Sequence, residues 1–162
     1  MIGIISDTHD NIEAIKRAVE LLNSEGVSIV IHAGDIISPF TIREFKELRA
    51  RLYAVFGNND GEKEGLKKKF SEINAEIQEI LRIEYKDKKI CVYHGTYEEI
   101  VDALIRSGNY DIVIRGHTHK LDIRNFSGVL MINPGEVCGY LTGKMTLVLL
   151  DVENMRTKVC EI

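Results

Sequence analysis

Four of the five histidines of this 162-residue chain stand in short polar clusters, each of which directly follows an apolar run. The five clusters are Ser6-Asp7-Thr8-His9, Gly34-Asp35, Gly57-Asn58-Asn59-Asp60, His94-Gly95 and Gly116-His117-Thr118-His119. Their side chains offer only nitrogen and oxygen donors, a set that suits Zn, Mn, Fe, Co or Ni better than calcium. Asp35 has two carboxylate oxygens and could bridge two cations held about 3.5–4 Å apart. The set therefore predicts a hydrolytic centre built for two cations.

Each cluster taken alone also fits a purely structural explanation. A D-x-H triplet arises easily by chance, and Gly34-Asp35 is a common turn. A lone histidine at a strand end, such as His94, is often a hydrogen-bonded core residue. His32, three residues before Asp35, is interpreted as packed or as supporting a ligand rather than as a ligand itself. What favours a metal site is the ordered recurrence of compatible donors at the ends of apolar runs.

Strands and helices between the clusters must bring them together. Short apolar runs predict buried strands at Ile2–Ile5, 29–31, 52–56 and Ile112–Ile114. Helical spacing of apolar residues predicts helices at 11–26, from 38 to 48, at 62–70 and at 98–107. This alternation is typical of a parallel sheet with right-handed crossovers, which binds ligands outside the carboxyl ends of its strands.

The last third of the chain has a different pattern, with short strands joined by turns. These strands are predicted at Leu121–Phe126, 129–132, 145–150 and 156–162, after a hairpin formed by 77–85 and 89–93. We expect this region to form antiparallel strands that make a second sheet packed on the first.

Composition points to one globular domain covering residues 1–162, with 44% hydrophobic and 28% charged residues. The formal net charge of −4 argues against nucleic acid as a stable partner. The cysteines Cys91, Cys138 and Cys160 are widely spaced and predict reduced thiols in a cytoplasmic protein. No apolar stretch approaches the length of a membrane span. Exposed strand edges in the C-terminal region could support a homo-oligomer.

The ordered clusters resemble the motifs D-x-H, G-D, G-N-H-[DE], a lone H and G-H-x-H of the calcineurin-like metallophosphoesterase superfamily. The match runs from Ile2 to about Glu136, and the Asn133-Pro134-Gly135 turn is similar to the compact YfcE-type phosphodiesterase branch. The resemblance implies an α/β fold, a four-layer αββα sandwich of two mixed β-sheets with helices outside.

The resemblance also implies the roles of the site residues. One cation would be held by Asp7, His9, Asp35 and His119, and the second by Asp35, Asn58, His94 and His117. The cofactors would be two divalent transition-metal ions, manganese first, with nickel, cobalt, iron or zinc as alternatives. A hydroxide bridging the two cations would attack the phosphorus of a small phosphate ester, and a phosphodiester is the expected substrate.

Two positions depart from the family pattern. Asn59 replaces the histidine that larger relatives use to contact phosphate and to protonate the leaving group. Asparagine can donate a hydrogen bond to phosphate but cannot deliver a proton near neutral pH. Glu136 stands where small relatives often have serine, so its carboxylate either repels the phosphate or points away from it.

Two alternative functions remain open from the sequence. The first is a protein-interaction scaffold that keeps this fold with a vestigial metal site, as the retromer subunit of similar shape does. The second is a nuclease or nucleotide pyrophosphatase, which differs from the phosphodiesterase only in substrate. Because all seven implied ligand positions are intact, the enzyme is the favoured interpretation.

Overall fold

The computed structural model describes residues 1–162, with eleven strands in two sheets, three α-helices and a 3₁₀ helix. The strands are β1 (Ile2–Ile5), β2 (Ile29–His32), β3 (Arg51–Val55), β4 (Glu76–Gln78), β5 (Leu81–Tyr85), β6 (Lys88–Val92), β7 (Ile112–Ile114), β8 (Leu121–Phe126), β9 (Val129–Pro134), β10 (Thr146–Asp151) and β11 (Arg156–Glu161). The helices are α1 (Ile12–Ser24), α2 (Lys63–Glu72) and α3 (Glu98–Arg106), and the 3₁₀ helix spans Pro39–Glu47. None of these helices combines the length and apolar character needed to cross a bilayer.

Both sheets are mixed. The first has the order β11-β10-β1-β2-β3-β4, with β1 to β4 parallel and β10 antiparallel to β1. The second has the order β5-β6-β7-β9-β8, with β6, β7 and β9 parallel and β5 and β8 antiparallel at its two edges. The predicted pair of mixed sheets is confirmed.

Alternation along the strands divides the core into layers. Ile2 and Ile4 pack between the sheets against residues of the second sheet such as Ile90 and Ile114. Ile5, on the opposite face of β1, packs with α1, α2 and the 3₁₀ helix. On the outer face of the second sheet, α3 packs against β7 and β9. Helices therefore cover both sheets, as the predicted four-layer arrangement requires.

The C-terminal third does not form a sheet of its own, so that prediction is wrong. Strands β8 and β9 join the second sheet, whereas β10 and β11 extend the first, with Ile2 opposite Leu150. The predicted strand 77–85 also divides: β4 pairs with β3 in the first sheet, and β5 begins the second. The chain crosses between the sheets at Glu79 and Ile80.

The helix predicted after Ser38 is present and is a 3₁₀ helix. Its apolar residues Ile42, Phe45 and Leu48 recur every third residue, which is the period of a 3₁₀ helix. Thr41 N–H donates to Ser38 O, three residues back, as the first bond of this type. The tighter helix places Ile42 and Phe45 in the core beside α1.

Candidate metal centre

Loops at the carboxyl ends of strands from both sheets carry all seven predicted ligands. Asp7 and His9 follow β1, Asp35 follows β2, Asn58 follows β3, His94 follows β6, and His117 and His119 follow β7. Five of the seven have left-handed backbone: Asp7 (φ 52°), His9 (39°), Asp35 (59°), His117 (71°) and His119 (61°). Such conformations cost about 1–3 kcal/mol each and cluster at functional sites.

The first donor group comprises Asp7, His9, Asp35 and His119, whose ligand atoms lie within 4.8 Å of one another. His119 Nε2 is 3.5 Å from Asp7 Oδ1, and His9 Nε2 is 3.5 Å from Asp35 Oδ2. Asp7 Oδ1 and His9 Nε2 are buried without a hydrogen-bond partner. Since unpaired buried polar atoms are costly, their convergence fits a cation held between them. The Asp7 and Asp35 carboxylates also raise the pKa of His9.

The second donor group is centred on His94. Its Nδ1 lies 2.7 Å from the Ala33 carbonyl oxygen, so Nδ1 carries a ring proton and Nε2 is the nitrogen that could bind a cation. That Nε2 is 3.1 Å from Asn58 Oδ1 and 3.3 Å from Asp35 Oδ2. The ring of His117 lies 5.3 Å from that of His94, and burial lowers the pKa of His117, which favours a neutral imidazole. Asn58 Oδ1 and Asp35 Oδ2 therefore both lie within 3.3 Å of His94 Nε2, with the His117 ring beside that of His94.

Asp35 Oδ2 belongs to both groups, since His9 and His94 approach it from different loops. Asn59 donates to both carboxylate oxygens, through its backbone N–H to Oδ1 (2.9 Å) and its side-chain amide to Oδ2 (2.7 Å). Burial of Asp35 opposes its charge, but His94 and Asn59 outweigh it and lower the pKa of Asp35. The same contact outweighs burial at His94 and raises the pKa of His94. Asp35 therefore remains an ionised carboxylate that is contacted by a histidine from each group.

Two glycines leave the space that this packing needs. A Cβ at Gly57 would collide with the Asp35 carboxylate, and a Cβ at Gly116 would collide with Ser6 and Asp7. A larger residue at position 57 would separate the loops after β2 and β3, and one at position 116 would separate the loop after β7 in the second sheet from the loop after β1 in the first.

Asp60 is a site residue whose role the sequence reasoning missed. It is buried, and its carboxylate accepts the backbone N–H groups of Asp35, Ile36, Ile37 and Gly57 at 2.7–3.1 Å. Burial raises the pKa of Asp60 even though these four donors favour its charge. The carboxylate thereby joins the loop of Asp35 to the loop of Asn58. The acidic residue closing the Gly57-Asn58-Asn59-Asp60 cluster was the available signal.

Replacing Asp60 by asparagine should destabilise the protein by about 1–3 kcal/mol, because the new amide group cannot accept two of the four backbone N–H groups. The loops of Asp35 and Asn58 should separate, and binding of Mn²⁺ should weaken with them. Urea denaturation and calorimetric titration with Mn²⁺ measure the two effects. An Asp60→Asn protein with wild-type stability would show that the loops do not depend on this carboxylate.

His32 lies outside both donor groups, in agreement with its interpretation as a packed or supporting residue. It is fully buried, its Nδ1 accepts the Gly34 N–H (3.2 Å), and its Nε2 is 3.0 Å from Thr8 Oγ1. Nε2 therefore carries the ring proton and donates it to the threonine hydroxyl. Burial lowers the pKa of His32 to about 3, so the ring stays neutral in the folded protein.

Stability of the metal-free protein should fall as the pH decreases below about 6.5, the unperturbed histidine value. Between that pH and about 3, unfolded chains bind a proton at His32 that folded chains do not, so protons favour unfolding. One such group contributes a slope of up to about 1.4 kcal/mol per pH unit. Denaturation in chelator across this range should show a smaller slope for His32→Gln. An unchanged slope would contradict a neutral His32.

Glu136 points away from the cluster of ligand atoms and lies behind His119. Its Oε2 accepts from His119 Nδ1 at 2.6 Å and from the Cys138 thiol at 3.1 Å. Burial opposes the charge of Glu136, but His119, Thr142 and Cys138 outweigh it and lower the pKa of Glu136 to about 2. Burial also raises the pKa of Cys138 to about 12, so Cys138 keeps its proton. The sequence left two possibilities for Glu136, a carboxylate that repels phosphate or one that points away from it. The contacts with His119 Nδ1 and Cys138 support the second.

Comparison with known proteins places this geometry in a family. The sequence profile of the calcineurin-like phosphoesterase superfamily domain matches residues 1–155. A phosphodiesterase of Methanocaldococcus jannaschii is 47% identical over 155 residues, which cover 94% of this chain and 93% of that relative. The solved structure of an archaeal phosphodiesterase shares 44% identity, with a TM-score of 0.96 and 99% of each chain covered. The chain therefore belongs to the calcineurin-like phosphoesterase superfamily.

The resemblance stated from the motifs is thereby confirmed, as are the fold class and the prediction of a hydrolase. The Escherichia coli phosphoesterase Yfce, 17% identical, shares the fold with a TM-score of 0.68, and the match covers 99% of this chain and 97% of Yfce. Vacuolar protein sorting 29 from Cryptosporidium parvum, 22% identical, shares it with a TM-score of 0.71, covering 99% of this chain and 95% of that one. At these identities the likeness shows the fold alone.

Proposed function

We propose that this protein is a phosphodiesterase that depends on two divalent cations. The observation that carries the proposal is the convergence of His9 Nε2 (3.5 Å) and His94 Nε2 (3.3 Å) on Asp35 Oδ2, together with the unpartnered Asp7 Oδ1 and His9 Nε2. The phosphodiesterase relative with 47% identity supports the choice of a diester.

The residues of the two donor groups fit the two cations. Asp7, His9, Asp35 and His119 would hold one, and Asp35, Asn58, His94 and His117 would hold the other. Bound cations supply Lewis acidity toward a phosphate oxygen and lower the pKa of a bound water. With nitrogen and oxygen donors only, manganese is the first candidate, followed by nickel, cobalt, iron and zinc.

Asn59 is proposed to contact the phosphate. Its side-chain amide has two N–H donors, of which one is used on Asp35 Oδ2, and the residue is exposed at the site. The second N–H is free to donate to a phosphate oxygen. Because asparagine cannot protonate a leaving group, the protein should favour diesters with good leaving groups over monoesters with poor ones.

We also propose the domain organisation, partners and location of the protein. Residues 1–162 act as one domain on small phosphate esters, with no nucleic acid as a stable partner and with a homo-oligomer possible through the edge strands β8 and β11. The three cysteines are unpaired, which supports a cytoplasmic location, since disulfides are rare in that compartment.

Hydrolysis assays with defined metals test the proposal. The protein is stripped of metal, reloaded separately with manganese, nickel, cobalt, zinc or magnesium, and assayed on bis(p-nitrophenyl) phosphate and p-nitrophenyl phosphate. We expect metal-dependent turnover that is faster on the diester. Faster turnover of the monoester would overturn the substrate class. No turnover with any metal would instead favour the scaffold.

A further inference from the structure

Glu136 is a fully buried carboxylate with no lysine or arginine partner. It follows β9 through the turn at Gly135 and is surrounded by hydrogen-bond donors. Besides His119 Nδ1 (2.6 Å) and Cys138 Sγ (3.1 Å), it accepts from Leu141 N (3.0 Å), Thr142 N (2.5 Å) and Thr142 Oγ1 (2.7 Å). Burying a carboxylate is costly unless its oxygens are satisfied in this way. A buried carboxylate with this many donors is typical of a group that has a role in the site as well as in packing.

These donors determine where the protons lie. The backbone N–H groups of Leu141 and Thr142 can only donate, so the oxygens of Glu136 act as acceptors and the group is a carboxylate. His119 must then carry its proton on Nδ1, which faces Glu136 Oε2. Nε2 is then the ring nitrogen that could bind a cation, and this atom lies 3.5 Å from the unpartnered Asp7 Oδ1.

We infer that Glu136 is a positioning residue for the metal centre, an inference that rests on the proposed function. It holds His119 in the tautomer and orientation that a cation needs, although it does not touch the cation. It also ties the backbone of Leu141 and Thr142 to the same carboxylate, so that the loop after β9 and the ligand are held together. Carboxylates that accept the second ring N–H of a ligating histidine change metal affinity by about 10–100-fold.

A different assignment of the same atoms would make His119, Glu136 and Cys138 a separate metal site, because their ligand atoms also lie within 4.8 Å of one another. The geometry argues against it. The Cys138 thiol and the His119 ring both donate to Glu136 Oε2, so the atoms that would bind a cation are already bound to each other. We therefore assign these contacts to support of His119.

The test compares Glu136→Gln with Thr142→Val. The side-chain oxygen of glutamine can still accept the N–H groups of the loop. Its NH₂ group then lies against His119 Nδ1 and can only donate to it. His119 should move its proton to Nε2, the atom that faces Asp7. Valine at position 142 removes one hydrogen bond from the same carboxylate and leaves the contact with His119 in place, so it reproduces the loss of loop support alone.

Two measurements distinguish these variants. Long-range ¹H–¹⁵N correlation spectra of the ¹⁵N-histidine-labelled, metal-free protein should show His119 with Nδ1–H in the wild type and Thr142→Val, and with Nε2–H in Glu136→Gln. Calorimetric titration with Mn²⁺ should show one of two binding steps weakened by about 10–100-fold in Glu136→Gln only. Excess Mn²⁺ should restore diester turnover in that variant.

Unchanged tautomer and affinity in Glu136→Gln would overturn the inference, as would equal effects of the two substitutions. Binding of a third cation with thiolate-to-cobalt absorption in the Co²⁺ protein would also overturn it, because Cys138 would then be a ligand. Failure of the proposed function looks different. A wild-type protein that binds two Mn²⁺ ions without hydrolysing any ester would refute the phosphodiesterase, while the tautomer and affinity would still decide the role of Glu136.

Discussion

An Asp35→Asn variant should lose both cations and at least about 10³-fold in diester turnover, because each cation supplies several kcal/mol of charge stabilisation to the reaction. Asp35 Oδ2 is 3.5 Å from His9 Nε2 and 3.3 Å from His94 Nε2, so one substitution affects both donor groups. Asparagine tolerates the left-handed backbone at this position (φ 59°) better than other uncharged residues except glycine. A rotated Asn59 amide can accept the new N–H, so the fold should persist. Metal content after dialysis and thermal unfolding measure the two effects.

Asp10→Asn is the matched control for this experiment. Asp10 is half-buried, has the same left-handed backbone (φ 56°), and accepts hydrogen bonds from the backbone N–H and the hydroxyl of Ser38. It lies one residue beyond His9 but contacts none of the ligand atoms. The control removes one negative charge near the site and should keep two cations and full turnover. Full metal content in Asp35→Asn would contradict the bridging role.

The proposed ligands could be predicted from the sequence because each stands within a few residues of the end of a short apolar run. An apolar run followed by Asp7, Asp35 or His94 predicts both a buried strand and a polar group near the carboxyl end of that strand. Parallel strands bring such ends to one edge, so local spacing is enough to predict that the groups meet. The structure places the ligand atoms of Asp7, His9, Asp35 and His119 within 4.8 Å of one another, with His94 and Asn58 next to Asp35. The left-handed backbone at Asp7 and Asp35 adds strain that is typical of functional loops.

Pairing between strands could not be predicted in the same way. Both faces of β10 are apolar and buried, so alternation does not distinguish them. Nothing local indicates that Ile2 will be the neighbour of this strand across the sheet. The break between β4 and β5 has the same origin, because a strand that changes sheet keeps its apolar pattern on both sides of the crossing. Long-range packing decides both features.

The supporting roles of Asp60 and Glu136 could not be predicted, for a related reason. Asp60 binds backbone groups 23–25 residues away along the chain, and Glu136 binds a histidine 17 residues away. Their partners are backbone N–H groups and a second ring nitrogen, which have no signature in the order of side chains. Such roles become visible only when the loops are folded against one another.

Replacing His94 by alanine should lower diester turnover by roughly 10³-fold while the protein still unfolds cooperatively. His94 Nε2 faces Asn58 Oδ1 and Asp35 Oδ2, so its loss removes a proposed ligand of the proposed second cation. The cost in stability should be limited to about 1–3 kcal/mol, mainly for leaving the buried Ala33 carbonyl without its partner. Turnover at saturating Mn²⁺ and urea denaturation measure the two quantities.

The His32→Gln variant is the control for His94→Ala. Both histidines are buried, with His32 0% and His94 1% exposed, but only His94 is a proposed ligand. His32 has both ring nitrogens in hydrogen bonds with Thr8 and Gly34, so no lone pair remains for a cation. Excess Mn²⁺ should therefore give His32→Gln wild-type turnover but should not rescue His94→Ala. If His94→Ala instead keeps its turnover and loses only stability, His94 is a core residue, and the second cation would have to be held without it.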